Sequence, residues 1–439
     1  MKLNANIEKV TVCLVLFLVL VSAFFASCKK KGDEDPPVIS ISRPEVHSEY
    51  TVFDTMSVLA AISDASGIED ITVRLLDIDM KPVLPVMTFS GNNKLMYNLQ
   101  SVIIISDIQI ETGTYYLSVT ASDGENLETD NVAIVIYEVP RKINGYMLAV
   151  SNSTYQTEIL QVNKNFTLDT KGSYNFDFSG FAVDNVNQRA VLCGQTKGGL
   201  IAIDLIGSQV EWEIPFIDNP PYPYFTAMQE VNGMFYAGKY ASSITGYNSE
   251  GENRWYAQTN PGFYPAVIAG CGDFVVIAEN PVSAGDYRIS TYYMSTGSMK
   301  QYTDMAYKPV AICQIDATHA LISANSGVNA KLYLYSLEDN AMQDVKSFSS
   351  ETILTTCRVS SRYFIVSTTS GTYQFDMASY SLIPKSTDSP TVMDYDDLNE
   401  QVIMGKGSSF KIYNREPWSL FYSAVTADPV LKIKVLYNK

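Results

Sequence analysis

Apolar residues follow two different patterns along this chain. Near the N-terminus, residues 10–25 form one almost unbroken apolar run, whereas from residue 38 onward the apolar residues occur in short runs separated by Gly, Pro, Asn and Asp. Short apolar runs bounded by such turn residues are typical of β-strands. The pattern therefore predicts an all-β protein that is preceded by a separate N-terminal segment.

This N-terminal segment has the features of a lipoprotein export signal. Lys2 and Lys9 precede the apolar run, and a Phe-Ala-Ser sequence then places small residues directly before Cys28. The run is shorter than the ~20 residues that span a membrane and has the length of a signal-peptide apolar region. We predict a signal peptide over residues 1–27 and a lipidated Cys28. An uncleaved anchor and a plain secretory signal are the alternatives.

A short charged segment follows the predicted lipidation site. Residues 28–37 contain three lysines, then Gly-Asp-Glu-Asp, and end in two prolines. Such a segment cannot bury a core and is predicted to be a tether. The lysines followed by acidic residues resemble the surface-export signals of Bacteroidota lipoproteins. This resemblance implies an outer-membrane protein held by its lipid, on either the periplasmic or the cell-surface side.

Residues 38–139 have the pattern of one small β-domain. Turn signals at residues 64–67, 91–93 and 123–124 separate seven candidate strands, which are residues 38–41, 57–62, 71–76, 83–89, 102–105, 115–121 and 132–137. Seven short strands in about 100 residues predict a β-sandwich. Residues 113–124 resemble the penultimate strand and turn of bacterial Ig-like and cadherin-like domains, and the resemblance implies an Ig-like stalk.

Two aspartates in these turn signals have two interpretations. Asp64 and Asp123 carry carboxylates, which calcium prefers as ligands. Aspartate is also a common turn residue, because its side chain bonds to the backbone amides that follow it. We favour the turn interpretation and predict no metal site.

Beyond a boundary near residue 140 the sequence repeats. A short strand that ends in a polar residue recurs, and the polar end positions are Asp204, Asn248, Ser336, Asp376 and Asn414. Their spacing is about 40 residues, except for one interval of about twice that length. Each repeat has room for four short strands. A period of about 40 residues with four strands per unit is typical of a β-propeller.

The two ends of the repeating region predict how the propeller closes. Six complete units extend from about residue 178 to residue 428, which leaves strands at residues 146–150, 158–163 and 430–436. Joining these leftover strands in one blade removes the exposed sheet edges that an open ring would have. We predict a seven-bladed β-propeller over residues 141–439, closed by the C-terminal strand.

Two of the repeats resemble a known propeller family. In residues 202–212 and 247–255, an Asp or Asn at the end of a strand precedes a Gly turn and then Trp212 or Trp255. These segments resemble the repeat of pyrroloquinoline-quinone-type propellers, which include quinoprotein dehydrogenases and the propeller lipoprotein of the outer-membrane β-barrel assembly machinery. The resemblance implies that each tryptophan packs between blades. It implies no quinone, and we predict no cofactor.

The net charge of the chain bears on the class of partner that is expected. The formal net charge is −16, and an acidic surface of this size repels phosphate backbones, so no nucleic-acid partner is expected.

Four cysteines fall in separate predicted blades, and they are Cys193, Cys271, Cys313 and Cys357. We interpret them as small buried apolar residues, with one oxidised pair between neighbouring blades as the alternative.

The sequence offers few groups for catalysis. The two histidines, His47 and His319, fall in different predicted domains, and no nucleophile or phosphate-binding motif is present. We therefore predict a protein that is not an enzyme. The alternative is a carboxylate-dependent or calcium-dependent hydrolase, such as a lactonase, that uses Glu279, Asn280 and Asp394 in the propeller channel.

Aromatic residues in three loops provide the candidate binding site. The loops lead into the predicted innermost strands of successive blades and contain Tyr222, Tyr224, Phe263, Tyr264 and Tyr307. Aromatic rings there offer a large contact area at one mouth of the channel, although Tyr and Pro also serve to stiffen crowded turns. We predict a lipid-anchored binding or scaffolding protein with a protein or glycan partner in the cell envelope. A sugar-binding accessory of a glycan-uptake system is a weaker alternative.

Overall fold

The computed structural model describes residues 35–152, 156–215 and 223–439. The predicted signal peptide, the predicted lipidation site Cys28 and the candidate binding residue Tyr222 lie outside these ranges. All regular structure in the described ranges is β-strand, which confirms the all-β prediction, and no helix there is long and apolar enough to cross a membrane. The chain divides into two compact units, with the division between Pro140 and Arg141.

The first unit is built around one hydrogen-bonded sheet. Its strand order is β1-β3-β5-β6-β2, with β4 also paired to β3, and only β2 and β6 run parallel. The strands are β1 Val38–Arg43, β2 Glu49–Thr51, β3 Thr55–Leu76, β4 Met87–Ile104, β5 Gly113–Ser122 and β6 Leu127–Tyr137. Alternate positions such as Met56 and Val58 in β3, or Leu117 and Val119 in β5, are fully buried. This period of two gives the sheet its single apolar core.

The described strands of this unit differ from the predicted ones at the first two turn signals. The predicted turn at residues 91–93 lies inside the continuous strand β4, which begins within the predicted strand 83–89 and ends within the predicted strand 102–105. Residues 57–62 and 71–76 were predicted as separate strands, but both belong to the long strand β3. The Oδ1 atom of Asp64 accepts hydrogen bonds from the amides of Ser66 (2.7 Å) and Gly67 (2.9 Å). The register of β3 on β4 shifts at this point. Asp64 therefore supports a bulge within a continuous strand, and the predicted strand break is wrong.

The second aspartate behaves as a turn residue. The Oδ1 atom of Asp123 accepts a hydrogen bond from the amide of Glu125 (2.7 Å), between β5 and β6. Hydrogen bonds from Asn126 and Glu125 hold the pKa of the Asp123 carboxyl below its usual value. The Oδ2 atom accepts a hydrogen bond from the side-chain amide of Asn126 (3.0 Å), so both carboxylate oxygens of Asp123 are engaged within its own turn.

The second unit consists of four-stranded antiparallel sheets, of which the described residues form seven. Six of them are each continuous in sequence. The first three of these are β10 Gly180–Asp184, β11 Arg189–Cys193, β12 Leu200–Asp204 and β13 Val210–Ile214; β14 Phe225–Val231, β15 Met234–Lys239, β16 Ser243–Tyr247 and β17 Asn253–Gln258; and β18 Phe263–Cys271, β19 Phe274–Pro281, β20 Tyr287–Tyr293 and β21 Met299–Met305. The next three are β22 Lys308–Gln314, β23 His319–Ser326, β24 Asn329–Ser336 and β25 Ala341–Phe348; β26 Ile353–Arg358, β27 Tyr363–Thr368, β28 Gly371–Asp376 and β29 Ser381–Ser386; and β30 Val392–Asp396, β31 Gln401–Lys406, β32 Ser409–Asn414 and β33 Ser419–Val425.

The remaining sheet joins the two ends of the second unit. Its order is β34-β7-β8-β9, and its strands are β7 Ile143–Ser151, β8 Thr157–Asn163, β9 Leu168–Tyr174 and β34 Val430–Tyr437. The antiparallel pairing of β34 with β7 extends from Val430↔Val150 to Tyr437↔Ile143. This is the predicted pairing of the C-terminal strand with the first strands of the repeating region.

The first strands of these sheets form a ring. β10 lies next to β14, and the same holds for β14 and β18, β18 and β22, β22 and β26, β26 and β30, and β30 and β34, while β34 also lies next to β10. Equivalent positions meet: the hydroxyl of Ser179 donates to the carbonyl oxygen of Phe225 (2.8 Å), each at the start of a first strand. The first strands therefore run in the same direction around one axis, which is the architecture of a β-propeller.

The two motif tryptophans join successive sheets. The Nε1 atom of Trp212 in β13 donates to the carbonyl oxygen of Ser249 (2.7 Å), in a turn of the next sheet. The Nε1 atom of Trp255 in β17 donates to the carbonyl oxygen of Tyr293 (3.2 Å), at the end of β20. Each tryptophan thus bridges neighbouring sheets, as the resemblance to quinone-type propellers implies.

The four cysteines of this unit are free thiols. Three of them are buried, and burial raises the pKa of Cys193 and Cys271 to about 12. A thiol with such a high pKa is protonated near neutral pH and reacts poorly. This agrees with their interpretation as small buried apolar residues.

Candidate functional site

A cavity follows the axis of the propeller. Its volume is about 660 Å³, and residues from all seven first strands line it. One residue from each of β10, β14, β18, β22, β26, β30 and β34 illustrates the ring: Gly180, Met228, Ile268, Ile312, Thr356, Met393 and Lys432. The volume lies within the ~300–1,000 Å³ typical of small-molecule sites.

Both signs of charge occur on the wall of this cavity. The acidic residues are Glu230 and Asp394, and the basic residues are Arg358, Lys432 and Lys434. The Oδ2 atom of Asp394 accepts a hydrogen bond from the backbone amide of a β34 residue, Val435 (2.9 Å). The carboxylate of Glu230 accepts one from Gly233 (2.7 Å), and burial raises its pKa. Both carboxylates are therefore engaged by the protein backbone.

The two lysines of β34 lie two residues apart and project from the same face of the strand. Burial, assisted by the positive charge of Lys434, lowers the pKa of Lys432 to about 8. Burial raises the pKa of the Cys313 thiol to about 12, against the opposing effect of Arg358, Lys432 and Lys434. The three cations therefore lie close enough together to act on one thiol at the cavity wall.

A second candidate site lies where the chain enters three successive first strands. Tyr224 directly precedes β14, Phe263 and Tyr264 begin β18, and Tyr307 directly precedes β22. All four side chains are half-buried. Because the first strands run in the same direction, these residues occupy one mouth of the propeller. We call the four residues the aromatic rim.

Each of the three sheets places a cation on its rim aromatic residue. Lys239 Nζ lies 5.7 Å from the ring centre of Tyr224, and the guanidinium carbon of Arg288 lies 4.3 Å from that of Phe263. Lys331 Nζ lies 5.1 Å from the ring centre of Tyr307. These separations are within the ~6 Å of a cation–π interaction. One arrangement therefore repeats in three successive sheets.

Acidic neighbours hold two of the three cations in place. Arg288 Nε lies 2.7 Å from a carboxylate oxygen of Asp304, and Lys331 forms an ion pair with Asp344. The hydrogen bond that Lys331 donates to Asp344 raises the pKa of Lys331, whereas burial lowers the pKa of Lys239. The paired cations are thus fixed on one side by a carboxylate and on the other by a ring.

The rim is continuous across two of the sheets. The amide of Tyr240 donates to the carbonyl oxygen of Tyr224 (3.0 Å), and the rings of Tyr240 and Tyr264 have their centres 4.8 Å apart. The Nδ2 atom of Asn280 then donates to the hydroxyl of Tyr264 (3.4 Å). Backbone and ring contacts therefore connect the rim residues of β14 and β18.

The carboxylates that the hydrolase alternative requires are in different places. Asp394 lines the axial cavity, but Glu279 lies in β19, fully buried, and is not part of the cavity wall. The hydroxyl of Tyr292 donates to the Oε1 atom of Glu279 (3.1 Å), and burial raises the pKa of this carboxyl. Among the residues that the structure describes, no group of three His, Cys, Asp or Glu side chains is arranged to hold a metal ion.

The rim aromatic residues were predicted from the sequence as candidate binding residues, whereas the cations that contact them were not. Lys239, Arg288 and Lys331 lie on other strands of their sheets, so only the folded sheet reveals these contacts. For Lys432 and Lys434, the sequence itself contains a signal that they border the channel. The two lysines alternate along the strand that was predicted to be the innermost one of the closing blade, and such an innermost strand borders the channel.

Comparisons with known proteins identify no family. No protein-family model matches the chain, and no curated protein matches it. Similar solved structures include BamB from Moraxella catarrhalis (TM-score 0.41, 12% identity, 68% of this chain and 93% of that chain). A quinonprotein alcohol dehydrogenase-like protein from Bacteroides thetaiotaomicron (TM-score 0.46, 10% identity) covers 92% of this chain and 99% of its own. The β-propeller domain of Cps50 (Swd1) from Myceliophteria thermophila (TM-score 0.46, 10% identity) covers 59% and 89%. The propeller assignment itself rests on the sheet pairing and the ring of first strands.

Proposed function

We propose that this protein is a lipid-anchored component of a bacterial cell envelope that binds a protein or glycan partner through its aromatic rim. The observation that supports this most directly is the aromatic–cation pair that recurs at one mouth in three successive sheets. The role that we propose is binding or scaffolding, without catalysis.

The rim has the physical properties of a preformed contact surface. Its rings are half-buried, so each has already lost much of its rotational freedom before a partner arrives. Immobilising a flexible side chain on binding costs about 0.5–1.5 kcal/mol, and a fixed ring avoids much of this cost. Tyr and Phe rings also supply large apolar area with a polar edge, which suits both peptide segments and sugar faces.

We infer that the ring of sheets is a seven-bladed propeller with the C-terminal strand as the innermost strand of the closing blade. The seven described four-stranded sheets and the contact of β34 with both β30 and β10 support this count. We assign the first unit the role of an Ig-like spacer between the anchor and the propeller.

The proposed anchor is Cys28, which the sequence places after an apolar run and two small residues. The Cys28→Ala variant should lose all lipid label when cells are grown with a labelled fatty acid, because no other cysteine follows a comparable segment. The same variant should retain its signal peptide, which intact-mass measurement detects. Lipid label of wild-type intensity on the variant would contradict the assignment.

The proposed binding surface can be tested with a matched pair of double variants. Phe263→Ser with Tyr264→Ser removes two rim rings. Phe421→Ser with Tyr256→Ser removes one ring of each kind from the outermost strands β33 and β17, where both are about half exposed. Quantitative pull-down from envelope extracts and a glycan array measure binding to the two partner classes.

The rim double variant should bind its partner at least about tenfold more weakly, since each anchor residue contributes at least ~1 kcal/mol. The outer-strand double variant should bind like the wild type. Equal binding by wild type and rim variant, with both folded by circular dichroism, would exclude the rim as the contact surface. Loss of binding in both double variants would place the contact elsewhere.

A further inference from the structure

The axial cavity contains three cations, Arg358, Lys432 and Lys434, that form no ion pair within the described part of the chain. In the described part of the chain, the ammonium groups of Lys432 and Lys434 make no hydrogen bond and no ion pair. The guanidinium of Arg358 makes one long hydrogen bond, from Nη2 to the carbonyl oxygen of Ile315 (3.3 Å). Because a guanidinium has five N–H donors, most of its hydrogen-bonding capacity remains open.

Half-buried lysines elsewhere in the second unit have a direct polar partner in several cases. Lys411 and Lys385 lie against the carboxylates of Asp388 (2.8 Å) and Glu416 (3.0 Å), and Lys171 donates to the carbonyl oxygen of Leu205 (3.0 Å). The chain as a whole has a net charge of −16, so carboxylates are abundant. Lys432 and Lys434 are half-buried and Arg358 is exposed, and the like charges of these three residues repel one another across the cavity.

The wall of the cavity carries three cations and two carboxylates. Asp394 accepts a hydrogen bond from the Val435 amide and its charge acts on Lys432, while burial raises the pKa of Glu230 against the opposing effect of Lys434. Arg358 is the last residue of β26, and Glu230 is the penultimate residue of β14. These charges therefore lie towards the end of the first strands that is opposite to the aromatic rim.

We propose that the axial cavity is a binding site for a small oxyanion with two or more negative charges, held by Arg358, Lys432 and Lys434. The cavity is large enough for a small organic anion, with a volume of about 660 Å³. Solvent reaches both lysines, which are half-buried. Arg358 offers the forked donor geometry that suits phosphate and carboxylate groups, and the two lysines add point charges from the neighbouring wall.

The test is isothermal titration calorimetry of the purified full chain at about pH 7 and low salt, with inorganic phosphate in one arm and citrate in the other. Saturable binding of one molecule per chain is expected in at least one arm. Binding of phosphate alone identifies a tetrahedral oxyanion as the ligand chemistry, and binding of citrate alone identifies a carboxylate. Saturable binding in neither arm would overturn the proposal.

The matched variants remove two positive charges in each case. Lys432→Ala with Lys434→Ala should weaken anion binding at least about tenfold, because two charges next to the ligand are lost. Lys164→Ala with Lys308→Ala removes two exposed lysines outside the cavity, and it should change the affinity less than about twofold because solvent screens them. Equal weakening in both double variants would show a general charge effect and contradict a site in the cavity.

A conservative single substitution separates an effect on anion binding from an effect on folding. Lys434→Gln keeps most of the side-chain length and polarity, and should still weaken binding measurably in a chain whose circular dichroism is unchanged. Wild-type affinity in this variant together with wild-type affinity in Arg358→Gln would overturn the assignment. The experiment uses neither a partner molecule nor a rim variant, so its failure leaves the proposed rim function untouched.

Discussion

The aromatic rim and the axial cavity both contain cations, but the two sets of cations differ in their direct contacts. At the rim, Arg288 lies between the rings of Phe263 and Tyr302 and pairs with Asp304. In the cavity, Lys432 and Lys434 make no ion pair and no ring contact within the described part of the chain, although the charge of Asp394 acts on Lys432. The rim cations are in direct contact with rings or carboxylates, whereas the two cavity lysines are not.

This difference indicates two different roles for a cation, which are support of a rigid surface and binding of an external anion. A cation with ring and carboxylate neighbours contributes a rigid surface, because its own position and that of the ring are fixed. A cation without a direct ring or ion-pair contact keeps its capacity to bind an external anion, at a cost to the unliganded fold. We therefore assign contact with a large partner to the rim and binding of a small anion to the cavity.

The largest expected effect comes from removing the strand that both regions need. Deletion of residues 430–439 removes β34 and with it five buried side chains, Val430, Ile433, Val435, Leu436 and Tyr437. Burial of each contributes about 1.5–3 kcal/mol, which together matches the whole stability of a typical domain. The second unit should lose its cooperative thermal transition in calorimetry, and with it both binding activities.

A milder variant shows whether closure by β34 causes this loss. Ile433 is almost fully buried, so Ile433→Ala should destabilise the second unit by about 2–5 kcal/mol without abolishing its fold. An unchanged transition in the deletion variant would mean that β34 is not required to close the ring.

The next effect tests whether the rim cations act as supports. Arg288→Gln removes two ring contacts and the ion pair with Asp304, and each ring contact contributes about 0.5–1 kcal/mol or more. We expect a loss of about 1–2 kcal/mol in the free energy of unfolding and weaker partner binding. Arg254→Gln is the control, because the ion pair of Arg254 among the described residues is with the exposed Glu252. This substitution should change stability by less than about 0.5 kcal/mol. Similar losses in the two variants would remove the distinction between supported and ordinary surface cations.

The smallest effect concerns the pH dependence of the cavity. The pKa of Lys432 is about 8, so this lysine is charged below pH 8 and becomes neutral as the pH rises through that value. Lys434, Asp394 and Cys313 act on it, and Arg358 and Glu230 share the cavity wall. Sulfate, whose charge is constant in this range, should bind about threefold more weakly at pH 9 than at pH 7. In Lys432→Met this step near pH 8 should be absent. A step of equal size in the variant would assign the pH dependence to another group.

Much of the fold could be predicted from the sequence because its signals are local and repeated. The polar residues at strand ends recur about every 40 residues, and the apolar runs at residues 146–150 and 430–436 remain as an incomplete unit at each end. Pairing of β34 with β7 follows from that count. The turn signal at residues 64–67 misled the prediction, because the same Asp–Ser–Gly chemistry supports a bulge when the strand pairing continues on both sides.

The candidate sites were less predictable because their contacts join distant parts of the chain. Tyr224 and Tyr307 stand out in the sequence as loop aromatic residues, but Lys239 and Lys331 reach them from other strands. Lys432 and Lys434 line the same cavity, where the charge of Lys434 lowers the pKa of Lys432. This cavity forms only when the seven first strands assemble. Pairing across strands and burial on an axis are properties of the folded sheets, so residue spacing alone does not specify them.

The most direct test of the account measures both binding activities on both double variants. Partner binding and anion binding are determined for Phe263→Ser with Tyr264→Ser, and for Lys432→Ala with Lys434→Ala, each beside the wild type. We predict that the rim variant loses partner binding and retains anion affinity within about twofold, and that the cavity variant shows the reverse. Loss of both activities in either folded variant would contradict two separate sites.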